Sequence, residues 1–360
     1  MKSKHNYEAI GVMSGTSMDG LDIAHCRFTK KRNWEFEILS AVTLPYPAKW
    51  RKKLSTAHTL SGAGLLALDV EFGNFIGENC ARFIAKEKIK TIDLIASHGH
   101  TVFHQPGRQF TFQLGNGNAI YARAGIPVVY DFRSLDVALL GQGAPLVPVG
   151  DRYLFDGYDV CVNLGGIANL SMEKKGKRIA FDVCFANMGL NYLAGKARKE
   201  FDKGGLLASR GKVKTKLLNE LRGTYTPMRI KRPALTREGF ELQIQKLLND
   251  ESIRLEDRMY TFCESIAEEI RRSVPLQKTK LTLLATGGGT LNPVLMALLS
   301  RKLAPMATII IPPRRIVEFK EALVFAFLGV LRVRGEVNVL KSVTGATRDS
   351  CSGSIVGNRT

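Results

Sequence analysis

Residues 11–24, GVMSGTSMDGLDIA, set three glycines, three hydroxyl side chains and two aspartates between apolar flanks. A hairpin needs only two or three turn residues. A longer run of small polar residues lets successive backbone N–H groups converge on an anion, and a phosphate is the obvious candidate. A second segment, YDVCVNLGGIANLSMEK at 158–174, repeats the plan of strand, glycine turn and strand. Asp182 ends the apolar stretch RIAFDVCFAN. A carboxylate there can act as a general base in a cleft or cap the segment that follows, and the residues alone leave the two readings level. In SHGHTVFH, His98 and His100 are spaced to share one strand face, with His104 beyond them. That invites a metal site, but no acidic ligand follows at the short spacing a tetrahedral zinc would want. Asp19 could equally close an Asx-turn. Glu321 precedes an apolar helix and could simply face its N-terminal dipole.

The elements that must hold these groups alternate between strand and helix. Period-two alternation flanks both glycine turns. LTLLATGGGTLNPVLMALL at 281–299 reads as a buried strand, three glycines and a helix with Pro293 in its first turn. Helical stretches such as KTKLLNELRG and RMYTFCESIAEEIRRSV lie between. The expectation is an α/β protein with duplicated domains. Their two hairpin turns would face each other across a cleft, with the third turn closing one side.

At 360 residues the chain has room for two cores. No window approaches the ~18 apolar residues of a membrane span, and ALVFAFLGVL at 322–331 reads as a buried helix. The N-terminus lacks the apolar core of a signal peptide, which suggests a cytoplasmic protein. Six scattered cysteines without a CxxC pair argue against metal or disulfide use. A formal charge of +19 could serve nucleic acid. However, the basic residues are interspersed with glutamates, and the dense runs KVKTK and MRIKR carry no aromatics. Neither nucleic acid nor membrane is expected as a partner.

With GVMSGTSMDGLDIA, IASHGHTVFHQP, DFRSLDVALLGQGAPLVP, NLGGIANLS, FDVCFAN, FDKGGLLASRG, TGGGTLN and EALVFAFLG in order, the chain resembles the anhydro-N-acetylmuramic acid kinases almost end to end. The resemblance implies two ribonuclease-H-like domains of the sugar kinase, actin and heat-shock chaperone superfamily around an ATP cleft. The expected domains are 1–125 and 126–339, with 340–360 packing back on the first. It implies an ATP- and Mg²⁺-dependent enzyme, a homodimer, acting in peptidoglycan recycling. ATP, water and 1,6-anhydro-N-acetylmuramic acid would give ADP and N-acetylmuramic acid 6-phosphate. Asp182 takes the family's catalytic-base position. Gly15, Thr16, Ser17, Met18, Asp19, Gly20, Leu21 and Asp22 match its ATP-phosphate loop, with Asp19 or Asp22 near hydrated Mg²⁺. Gly165 and Gly166 would approach the β- and γ-phosphates, with Asn169 ordering that turn. Gly287, Gly288 and Gly289 would lie under the adenosine. Ser97, His98, His100, Arg133, Asp136, Asn187 and Glu321 would form the sugar site, with Arg133 a partner for the lactyl carboxylate.

Four departures concentrate on the sugar half. Val183, Cys184 and Phe185 follow the aspartate where the family carries a proline-containing run. Leu140 replaces a glycine. Ala234 and Leu235 stand where a basic and a hydroxyl residue are usual, and Asn116 stands where aspartate is common. These changes frame an alternative, a catalytically weak nucleotide-binding sensor of cell-wall fragments.

Overall fold

The computed structural model describes residues 4–15 and 18–357. The chain forms two compact units, one running through Leu154 and resuming at Phe319, the other spanning Phe155–Glu318.

In the first unit β1 (Asn6–Ser14), β2 (Gly20–Lys30) and β3 (Trp34–Pro45) form an antiparallel meander. β4 (Leu94–Ser97) then pairs parallel to β1. β5 (His100–Gln105) and β6 (Phe110–Leu114) make a separate hairpin, and β7 (Val128–Tyr130) joins β4 in parallel. In the second unit β8 (Val160–Leu164), β9 (Ile167–Lys174) and β10 (Lys177–Phe185) repeat the meander. β11 (Leu281–Thr286) and β12 (Ala307–Ile310) extend it in parallel. β3-β2-β1-β4-β7 and β10-β9-β8-β11-β12 therefore share one order and one set of directions. Each is the ribonuclease-H-like topology, and the chain is an α/β protein that uses it in both units. β13 (Ser354–Val356) adds an antiparallel edge to β7.

Small residues bring helices close to the sheets. A Cβ on Gly11 of β1 would lie 1.8 Å from the Ala322 carbonyl oxygen, so the helix Arg314–Arg334 rests directly on that strand. Residues 322–330 of this helix are all buried, as the apolar run requires. At Phe319, where the unit boundary falls, its backbone leaves helical geometry (φ −115°, ψ 16°). The second core packs Val160, Val162, Leu170, Phe185, Leu283 and Leu299 around the helix Leu255–Ser273. Each such side chain contributes about 1.5–3 kcal/mol of burial.

The units divide differently from the expected domains. Residues 126–154 carry β7, which pairs with β4, and 319–339 carry the helix on β1, so both belong to the first unit. The cysteines are unbridged and all but Cys351 are buried, as small core residues. Among the described residues no helix is long and apolar enough to cross a membrane.

Candidate active site

The first polar cluster gathers at the carboxyl ends of β1, β4 and β7. β1 and β2 pair out to Ser14 and Leu21, and the turn between them closes through the Met18 N–H donating to the Gly15 carbonyl at 3.2 Å. Met18 holds φ at 55°, the left-handed region. Thr16 and Ser17 lie outside the described residues. Asp19 is exposed. Asp22 accepts from the Thr43 hydroxyl at 2.5 Å. Gly20 is required, because a Cβ there would meet the Leu44 carbonyl oxygen at 2.7 Å. Leu21 is fully buried in the core, so of the turn residues it contributes backbone only.

Under this turn lies a relay that the sequence did not reveal. The Tyr46 hydroxyl donates to Ser14 Oγ at 2.8 Å, and Ser14 Oγ lies 3.0 Å from His100 Nδ1. Burial pushes the His100 imidazole down to about 4, so it is neutral at ordinary pH.

His98 and His100 do not share a strand face. β4 ends at Ser97 and β5 begins at His100, with Gly99 (φ 71°) turning the chain between them. Ser97 Oγ accepts the Gly99 N–H at 3.2 Å and so belongs to that turn. His98 Nδ1 lies 2.9 Å from the Gly99 carbonyl and must carry the proton there. Its Nε2 then accepts from Arg133 Nη2 at 2.8 Å and Nε at 3.1 Å. Burial and the Arg133 charge hold His98 well below the usual histidine range. Arg133 Nη1 donates to the Gly143 carbonyl at 2.6 Å. Burial lowers Arg133 to about 10, opposed by the charges of Glu321 and Asp136. Glu321 is exposed at the first turn beyond Phe319, within electrostatic reach of Arg133, Lys320 and Asp19.

Asp136 stands apart from these. It is fully buried, with Oδ2 accepting the Gly143 N–H and Oδ1 the Thr344 hydroxyl, both at 2.8 Å. It ties the GQGAP loop to residues 343–346, VTGA, and has no face left for a sugar. No group of three or more His, Cys, Asp or Glu side chains that could hold a metal occurs among the described residues.

The second cluster lies at the corresponding end of the other sheet. Directly paired residues on antiparallel neighbours point to the same face. Asn163, Asn169 and Asp182 are paired in register across β8, β9 and β10, so they form one half-buried polar row. Asn163 was missed in the sequence, although it is the lone polar side chain in VCVNL. A bulge follows Asp182. Its Oδ2 accepts the Leu235 N–H at 2.9 Å. Burial raises its carboxyl above the usual aspartate value, and the Leu235 bond opposes that rise.

Gly165 and Gly166 form the β8–β9 turn, and their carbonyls accept from the Asn187 and Ala186 N–H groups at 3.0 and 2.9 Å. Gly287 (φ 85°) and Gly289 press on Leu164, where a Cβ would meet backbone or Cβ atoms at 2.8 and 2.7 Å. A Cβ on Gly288 would meet nothing nearer than 3.7 Å, which makes it the open member of the three. Asn187 Nδ2 donates to the Leu164 carbonyl at 2.9 Å and so ties the start of its helix to the β8–β9 turn. Cys184 is fully buried with its thiol raised well above the ordinary value, so it is inert.

The family model for anhydro-N-acetylmuramic acid kinase matches residues 7–358. Kinases of that name from Mannheimia succiniciproducens and Vibrio cholerae are similar at 34% and 35% identity. They cover 96% and 94% of this chain, and 98% and 95% of their own lengths. A Sulfurimonas denitrificans relative of the same name is 32% identical over 96% of the chain and 98% of its own. On a match of this extent, the chain belongs to the anhydro-N-acetylmuramic acid kinase family.

Proposed function

We propose that the protein uses Asp182 as the general base for water in a coupled ring-opening and phosphoryl transfer, with ATP as the phosphoryl donor. The acceptor is 1,6-anhydro-N-acetylmuramic acid, in which the ring linkage leaves no free 6-hydroxyl. A base therefore has only water to activate. Water attacks the anomeric carbon and its proton passes to Asp182. The bond from that carbon to the 6-oxygen breaks, and the 6-oxygen attacks the γ-phosphorus as its bond to the bridging oxygen breaks. The products are ADP and N-acetylmuramic acid 6-phosphate. The arrangement is that of an inverting glycosidase in which a phosphoryl group replaces the general acid.

The observation that carries this reading is the Asp182 environment: a half-buried carboxyl in a polar row, raised by burial and held, among the described residues, through Oδ2. A base is most effective when its pKa lies nearer the working pH.

In the first unit, the turn from Gly15 to Asp22 supplies N–H groups to phosphate. Arg133, oriented by His98, supplies donors to the sugar acid, with Ser97, His100 and Glu321 around it. In the second, Gly165 and Gly166 receive the β- and γ-phosphates and Gly288 lies under the adenosine between Gly287 and Gly289. Magnesium favours one or two carboxylates plus water and substrate phosphate over an all-protein cage. An exposed Asp19 and a half-exposed Asp22, in a region where no cluster of three ligands that could hold a metal occurs among the described residues, fit that preference. The ion would neutralise charge on the transferring phosphate, and the chain's own groups position the reactants.

The test is ADP release from ATP, Mg²⁺ and the anhydrosugar. Asp182→Asn is expected to lower kcat about 10²–10⁴-fold while sparing KM for ATP. Activity retained in folded Asp182→Asn protein would overturn the assignment. In the wild type, kcat falls as acid protonates the base, and the midpoint lies above the ordinary aspartate value because burial raises this carboxyl.

A further inference from the structure

Asp182 is held by a backbone group. The donor, Leu235 N–H, lies in the turn joining the helices Thr215–Lys231 and Arg237–Gln243. That turn is fixed from several sides. Arg232 ends the first helix in the left-handed region (φ 46°), its N–H donating to the Met228 carbonyl at 2.7 Å. The Arg232 guanidinium lies 3.8 Å over the ring of Phe181, the residue before Asp182. Thr236 Oγ1 caps the next helix by accepting the Gly239 N–H at 3.1 Å. Phe240 of that helix packs edge-on to Phe185 of β10 at 5.6 Å. Arg229, on the first helix, is anchored by the buried Glu269 at 2.6 Å.

We infer that residues 232–236 are the positioning element of the base: the Leu235 N–H fixes the Asp182 carboxyl through Oδ2 and leaves Oδ1 to meet water. This rests on Asp182 being the base. Because the donor is main chain, side-chain identity at 234 and 235 is unconstrained by it, and Ala234 and Leu235 keep the bond. Other ionisable groups lie around β10. Cys184 and Tyr225 are kept neutral by burial. Glu269 is paired with Arg229 and Arg272, and Arg232 is on Phe181.

The experiment compares Leu235→Ala, which keeps the N–H, with Leu235→Pro, which removes it. A third protein carries an ester in place of the 234–235 amide, which removes the N–H without altering the side chain. Leu235→Ala is expected within about twofold of wild type. The proline and ester proteins are expected to lose about tenfold or more in kcat, the scale of one charge-assisted hydrogen bond, with KM for ATP unchanged. The acid limb of their kcat profile should move to higher pH, since the lost bond favoured the ionised carboxyl. If Leu235→Pro does not fold, the ester protein decides. An ester protein that matches Leu235→Ala in kcat and acid limb, while Asp182→Asn is inactive, overturns the inference. An active Asp182→Asn instead overturns the base assignment beneath it.

Discussion

Leu140 holds φ at 66° with its side chain 60% exposed, so it carries a left-handed backbone without packing that would offset the strain. That conformation costs an L-residue about 1–2 kcal/mol, part of which glycine returns through its freer unfolded chain. Leu140→Gly should therefore stabilise the protein by about 0.5–1 kcal/mol, read as a rise in thermal midpoint. Asn116 has an equally local explanation. Its Oδ1 caps the helix Gly117–Ala124 by accepting two N–H groups, and its Nδ2 donates to Asp69 at 3.1 Å. An aspartate would keep the cap and lose that donation. Residues of this kind were visible in the sequence as departures, but their causes were not. A φ angle and a cross-chain donor leave no trace in a one-dimensional pattern. For the same reason Asp136 read as a sugar ligand until both its oxygens were found engaged by Gly143 and Thr344.

The elements were far more legible, because periodicity and glycine turns are local signals. Both hairpin turns, the strand into Gly287–Gly289 and the helix begun by Pro293 all form, with Asn292 capping that helix through the Val294 and Leu295 N–H groups. The shared face assigned to His98 and His100 fails because Gly99 reverses the chain, a break that period-two counting does not register. Contacts between distant elements were out of reach, and Gly11 is the clearest case. Gly11→Ala drives a methyl into the Ala322 carbonyl and should cost at least about 2 kcal/mol. Hydrogen exchange should accelerate in β1 and β4 while β8 to β12 keep their protection.

Across the whole molecule, buried histidines set the acid response. His25, His98 and His100 all lie below the ordinary value in the fold, chiefly through burial, and return to about 6.5 when unfolded. The unfolded chain then binds more protons, so their stabilisation is full above that value and is lost as pH falls toward the folded one. The raised carboxyls of Asp69 and Glu269 act in the opposite sense. With His100 near 4, its own share of the loss between pH 7 and pH 5 is about 2 kcal/mol. Urea midpoints of His100→Asn should fall less steeply over that interval than those of wild type. The duplication behind this architecture could be read from its paired glycine turns, whereas the true division could not, because a late segment returns to the early sheet. That return has a bearing on biosynthesis. The 155–318 unit leaves the ribosome whole and can close at once, while β1 waits for the helix that covers Gly11 and β7 for its edge strand β13. The unit begun first is finished last, and until then its uncovered apolar sheet is the nascent chain's main exposure to aggregation.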